Sequence, residues 1–173
     1  MWVFGYGSLM WDGWEKPLNG TRVDCAVLAG YRRSFNKKST RNWGTREAPG
    51  PTLGLEVAED GSCTGTAFEF PEGSRAAVEA LLKDREGLSF TLKYLTVRLP
   101  DGRKVEALTP VNDQSKGTYV GKVPAKERAV MAKIAKGKRG NCIEYVRNIH
   151  AKLGTLGIDD EDVAEFMRLV DLP

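Results

Sequence analysis

The chain opens on an apolar run, Trp2-Val3-Phe4, that breaks into Gly5-Tyr6-Gly7-Ser8-Leu9-Met10-Trp11. Aromatic and β-branched residues in so short a run suit a buried strand, here Trp2–Gly5. Similar runs predict strands over Asp24–Leu28, Leu53–Val57 and Cys63–Phe70. Asp60-Gly61, between the last two, predicts a hairpin turn. Gly65 inside the fourth strand marks a bulge or close packing. The period then changes from two to 3.6. Ala77, Val78, Leu81 and Leu82 share a helical face, with Ser74 at the N-cap and Gly87 at the C-cap. Alternation returns over Phe90–Leu99 and Lys104–Thr109, joined through Pro100-Asp101-Gly102-Arg103 as a second hairpin.

A polar loop, Pro110–Lys116, leads into helical sequence. Pro124 suits position N1 of a helix whose Val130, Met131 and Ile134 face inward. Lys136–Gly140 is a basic, glycine-containing break. Ile143, Val146, Ile149 and Leu153 form the apolar stripe of a longer helix from about Cys142. Val163, Phe166 and Val170 form that of a last one, capped by Asp159. Strands, a helix, strands and then helices predict an α+β fold, a single domain over residues 1–173. Its sheet is mixed or largely antiparallel and can close into a barrel flanked by helices.

Composition adds boundaries to this picture. At 173 residues and 41% hydrophobic, the chain is long and apolar enough for one ordinary core. No stretch approaches a membrane span, and no basic region precedes the first apolar run, so a cytoplasmic protein with no membrane partner is expected. Cys25, Cys63 and Cys142 are far apart, which argues against a disulfide framework or a zinc knuckle. His150 stands alone, without partners at metal-ligand spacing, so no metal is expected. Neither a Gly-x-Ser-x-Gly elbow nor a Walker or dinucleotide glycine pattern is present. The basic stretch Arg32, Arg33, Lys37, Lys38, Arg41 and Arg46, with Tyr31, Phe35 and Trp43 among it, has three readings. It is a solvated strand and loop, the approach to a small anionic substrate, or an RNA-binding surface. No nucleic-acid motif supports the last.

Two places can carry chemistry. Gly7, Ser8 and Leu9 sit in a glycine turn whose backbone N–H groups can converge on an anion, although a plain tight turn reads the same way. Glu86 ends an apolar helix. A carboxylate there meets the negative end of the macrodipole, and if partly buried its pKa should rise, as suits a general acid or base. An exposed glutamate beside Asp84 and Arg85 is the plainer alternative.

Tyr6-Gly7-Ser8-Leu9 with Trp11, then Arg85-Glu86-Gly87 at a helix end, resembles the ChaC branch of the γ-glutamylcyclotransferases. Tyr31 to Ser39-Thr40, Gly44-Thr45 with Pro49-Gly50, Gly65-Thr66-Ala67-Phe68, Thr118-Tyr119-Val120-Gly121 and Gly140 to Glu144-Tyr145 match that family's segments in order. The resemblance implies a small mixed barrel with flanking helices, and a reaction needing no cofactor. In it the α-amine of a γ-glutamyl unit attacks its own γ-carbonyl, giving 5-oxoproline and releasing an amine or peptide, Cys-Gly when the substrate is glutathione. It implies Glu86 as the general acid and base, and the Gly7, Ser8 and Leu9 amides as holders of the glutamyl carboxylate or the oxyanion. Tyr6 and Tyr119 would orient the substrate, and Arg33 would meet the glycyl carboxylate.

Three segments depart from the family's pattern: Ser34 stands where a second arginine is usual, Arg41-Asn42-Trp43-Gly44 replaces Asp-His-Arg-Gly, and Leu88-Ser89-Phe90 follows Gly87. These departures leave the leaving group open. The same chemistry on another γ-glutamyl amine or amino acid is the alternative. A non-catalytic module of the same fold, binding a small anion or RNA, is the alternative of another class.

Overall fold

The computed structural model describes residues 1–172, with every side chain except that of Leu88. Pro173, the last residue of the domain expected over 1–173, lies outside the described residues. The strands are β1 (Trp2–Gly5), β2 (Thr21–Ser39), β3 (Gly50–Glu69), β4 (Phe90–Arg98), β5 (Lys104–Asn112), β6 (Lys136–Gly137) and β7 (Gly140–Asn141). The α-helices are α1 (Arg75–Glu86), α2 (Ala125–Ile134), α3 (Cys142–Thr155) and α4 (Glu161–Asp171). Five strands close a barrel in the order β1-β3-β2-β4-β5. It is mixed, as expected: β1 runs antiparallel to β3, with Gly5 opposite Thr66, and parallel to β5, with Val3 opposite Leu108. No helix among the described residues is long and apolar enough to cross a membrane.

The chain falls into two compact units, residues 1–32 with 57–113, and residues 33–56 with 114–172. The first carries β1, β4, β5, α1 and the parts of β2 and β3 that pair with β4 and β1. Its core gathers Val3, Leu9, Trp14, Phe68, Phe70, Val78, Leu82 and Leu108. Trp14 lies edge-on to Phe68, ring centroids 5.3 Å apart, and tilted on Phe70 at 5.2 Å. Such aromatic pairs add to the simple burial of their area. The hairpin at Pro100–Arg103 forms as read, with Arg98 opposite Lys104.

The hairpin expected at Asp60-Gly61 does not form. Both residues lie inside β3, a strand of 20 residues. A two-residue hairpin turn needs positive φ at its centre, and neither Asp60 nor Gly61 has it. The strand read as Asp24–Leu28 is likewise the start of the 19-residue β2.

In the second unit α4 buries Val163, Phe166 and Val170, and α3 buries Cys142, Val146, Ile149 and Leu153, as their spacing requires. Phe35 stacks on Phe166 with centroids 4.4 Å apart. Two details differ. The N-cap of α4 is Asp160, whose carboxylate accepts from Val163 N at 3.0 Å, not Asp159. In α2 the buried residues are Ala129 and Ala132, whereas Val130 and Ile134 are 57% and 69% exposed. Small side chains let this helix approach α3 and α4 closely, and that turns its larger residues outward.

Candidate active site

After β1 the backbone turns through Tyr6 and Gly7 into a single 3-10 turn, Ser8–Met10. Met10 N donates to Gly7 O at 2.9 Å and Trp11 N to Ser8 O at 3.3 Å. Met10 is therefore the first residue to donate within the turn, and the amides of Gly7, Ser8 and Leu9 have no acceptor inside it. Ser8 is exposed, while Leu9 and Met10 anchor the turn in the core. The Leu9 carbonyl accepts from Trp14 Nε1 at 3.1 Å. Tyr6 is buried, and its hydroxyl donates to Pro110 O of β5 at 2.8 Å.

Two glycines permit this geometry. A Cβ on Gly5 would lie 2.9 Å from Leu9 Cβ, and one on Gly65 would lie 2.4 Å from the Gly5 carbonyl oxygen. Both approaches are closer than a side-chain carbon tolerates, so β1 can lie against β3 and the turn against β1 only without them. Of the two readings of Gly65, close packing is what the structure contains.

Helix α1 ends at the same place. Its C-cap, Gly87, has φ 67°, a left-handed value that glycine adopts without steric penalty. Arg85 Nη2 donates to Ser8 Oγ at 3.2 Å and forms an ion pair with Asp12. Glu86 is the next residue, half-buried, at the last position of the helix. Adjacent Cα atoms are about 3.8 Å apart, so the bond from Arg85 to Ser8 keeps a carboxylate in the neighbourhood of the turn. Arg85 thus ties the end of α1 to the turn, and Tyr6, Gly7, Ser8, Leu9 and Glu86 all belong to the first unit.

Arg33 and Tyr119 belong to the second unit. Arg33 is 1% exposed, and its Nη1 donates to Asp160 Oδ2 at 2.7 Å. The guanidinium expected to meet a substrate carboxylate is instead held by a carboxylate of its own chain. The Tyr119 hydroxyl donates to Glu56 Oε1 at 2.7 Å, while Asn36 Nδ2 and Gln114 Nε2 donate to the same carboxylate at 2.7 and 3.0 Å. Burial, then the hydrogen bond and charge of Glu56, push the Tyr119 hydroxyl up to about 12, against a smaller opposing effect of Arg128. The phenol therefore stays protonated as a donor at neutral pH. Sequence reading missed Glu56, and it quoted Arg85 only as part of the motif with Glu86, without a role of its own. Arg85 had a signal, since it precedes Glu86 at a helix end. Glu56 had none, because its partners lie 20 to 63 residues away in sequence.

A family model described as ChaC-like protein matches residues 1–172. This chain belongs to the ChaC-like family. The match runs through both units, and the curated relatives this chain is similar to are named γ-glutamylcyclotransferases, which are enzymes. The glutathione-specific γ-glutamylcyclotransferase of Escherichia coli is 30% identical over 169 residues, 96% of this chain and 71% of that one. γ-Glutamylcyclotransferase 2-3 of Arabidopsis thaliana is 31% identical over 182 residues, 98% and 88% of the two chains. Among solved structures, a γ-glutamyl cyclotransferase specific to glutathione from yeast superposes with a TM-score of 0.84 at 21% identity, covering 99% of this chain and 95% of the other. That likeness shows the γ-glutamylcyclotransferase-like fold, a mixed barrel with flanking helices, that the resemblance implied.

Proposed function

We propose that this ChaC-like chain is a γ-glutamylcyclotransferase that cyclises a γ-glutamyl unit to 5-oxoproline, with Glu86 as general acid and base. The observation that carries the reading is the Arg85–Ser8 hydrogen bond, which keeps the carboxylate-bearing end of α1 at the turn of backbone amides. The chemistry needs those two elements together. Nucleophile and electrophile belong to one molecule, so the protein has chiefly to fold the substrate and move protons. The α-ammonium gives a proton to the Glu86 carboxylate, and the freed amine forms a bond to the γ-carbon. The γ-amide bond then breaks as the leaving nitrogen takes up the proton from Glu86, and the ring nitrogen gives its surplus proton to the Glu86 carboxylate, which passes it to the departing amine. Gly7, Ser8 and Leu9 amides hold the glutamyl carboxylate or the oxyanion as it forms. Tyr6, its hydroxyl donated to Pro110 O, holds the start of the turn that receives the substrate.

Glutathione, which would release Cys-Gly, is the first candidate substrate, in line with the names of the relatives. Two observations favour a second, a γ-glutamyl amine. Arg33 already carries Asp160 as its counter-ion, and the Tyr119 hydroxyl is bonded to the Glu56 carboxylate.

The test is incubation with glutathione and a panel of γ-glutamyl amines and amino acids, following 5-oxoproline. Absence of the lactam from every compound refutes the activity. Glu86→Gln should lower turnover by roughly 10²- to 10⁴-fold, the usual contribution of a positioned acid or base, while substrate affinity and melting temperature stay near wild type. Normal turnover by this variant would remove Glu86 from the reaction.

A further inference from the structure

Strand β2 carries an irregularity on the side facing the turn. Asp24 and Cys25 are consecutive and both exposed, which breaks the alternation of a strand. Cys25 has φ 59°, a left-handed value rare for a residue with a side chain. An exposed pair with one residue in this conformation has the form of a β-bulge, which re-aims a side chain out of the ladder. Holding a non-glycine residue there costs of the order of 1–3 kcal/mol and persists where surrounding contacts impose it.

The contacts are specific. Arg22 Nε donates to both oxygens of Asp24, at 2.8 and 3.0 Å. Thr66 Oγ1 donates to Asp24 Oδ1 at 2.8 Å, and Thr66 is the β3 residue opposite Gly5. Thus oriented, Arg22 turns Nη1 to the carbonyl oxygen of Met10, the last residue of the 3-10 turn. Partial burial alone would raise the Asp24 carboxyl, but the bonds from Arg22 and Thr66 and the charge of Arg22 keep it below its ordinary 3.8. The carboxylate is therefore ionised at neutral pH.

We propose that Arg22 and Asp24 are positioning residues: Asp24, aimed by the bulge, orients Arg22, which clamps the Met10 carbonyl and fixes the turn whose amides hold the substrate's anionic group. The catalytic part of this inference rests on the γ-glutamylcyclotransferase reading, whereas the clamp itself does not. A guanidinium on the Met10 carbonyl fixes one end of the turn whose other end carries the Gly7, Ser8 and Leu9 amides. It also restrains Leu9 and Met10 against slippage that would scatter those amides. Preorganised donors of this kind lose most of their effect when misplaced by about an ångström.

Hydrogen exchange at individual amides and steady-state kinetics, measured on Arg22→Gln, separate the two parts. Exchange of the Met10 and Trp11 amides should rise tenfold or more, with Val97 in the β4–β5 hairpin unchanged as the internal reference. On a γ-glutamyl compound that wild type turns over, kcat should fall about tenfold or more, by a larger factor than KM rises. Arg22→Lys, which still offers one donor to the Met10 carbonyl, should recover part of both, and it supplies the same test if Arg22→Gln does not fold. Exchange at Met10 and Trp11 equal to wild type overturns the clamp. Faster exchange with undiminished kcat overturns its role in catalysis. Faster exchange in a protein that makes no 5-oxoproline from any substrate supports the clamp and refutes the activity.

Discussion

Arg33→Met separates two roles for the most deeply buried cation of the second unit. The Arg33 and Asp160 side chains are 0% and 11% exposed, with 2.7 Å between the charged atoms. Methionine keeps much of the side-chain volume but leaves the Asp160 carboxylate without its counter-charge. Removing one member of a buried pair costs 3–5 kcal/mol as a rule. Asp160 retains a little exposure and its cap bond to Val163 N, so the lower end, about 3 kcal/mol, is the expected loss. For a chain of 173 residues that corresponds to a fall in Tm of roughly 6–12 °C. Adding Asp160→Asn removes the orphaned charge and keeps a capping side chain, so the double variant should regain about 2 kcal/mol, read as a coupling energy in the cycle. Circular dichroism melts give the stabilities. 5-Oxoproline formation well below the transition gives KM, which should be unchanged in folded Arg33→Met. A Tm within 2 °C of wild type, with KM raised tenfold, would refute the structural role and return Arg33 to the substrate.

Gly65→Ala sets a methyl group 2.4 Å from the Gly5 carbonyl oxygen, backbone that cannot swing aside. It should cost about 1–3 kcal/mol in thermal melts and lower turnover by displacing the turn that follows Gly5. Burial pushes the Cys142 thiol from 9.0 up to about 12. Its folded value is raised, so its contribution is fully present below pH 9 and lost as pH climbs from 9 toward 12. Tm measured across that range should fall less steeply in Cys142→Ala. Exposed Cys25 should react with iodoacetamide well before Cys63 or Cys142, as peptide mapping would register. Tyr119→Phe removes one donor from Glu56 and should cost about 1 kcal/mol of stability by denaturant titration.

Local chemistry made much of the fold legible. β1 has the bounds its apolar run suggested, and Gly87 ends α1 where a left-handed residue was needed. The Tyr6–Leu9 turn and Glu86 stood out because glycine geometry and a charge at a helix end are both local signals. What escaped the sequence depended on distant partners. Asp60-Gly61 looks like a turn until the pairing of β3 holds both residues extended. Val130 and Ile134 look like a core face until α2 packs through its alanines. Arg33 reads as a surface cation because Asp160 is 127 residues away. The bulge at Asp24-Cys25 left no trace, since nothing in cysteine's chemistry favours positive φ.

Synthesis runs from the N-terminus, so β1 leaves the ribosome before either of its partner strands. Its partners are residues 66–69 of β3 and 107–108 of β5. At about 5–20 residues per second, the nascent chain waits roughly 5–20 s before both edges of β1 can be occupied. The Ser8–Met10 turn hangs from that strand. Until β5 has been made, Tyr6 has no Pro110 carbonyl to receive its hydroxyl. A ribosome stalled before residue 110 would therefore hold the Ser8–Met10 turn in an unfinished state. The Ser8–Met10 turn precedes β3 and β5 in the chain and is complete only after them, so activity on stalled chains would time the closure of the barrel.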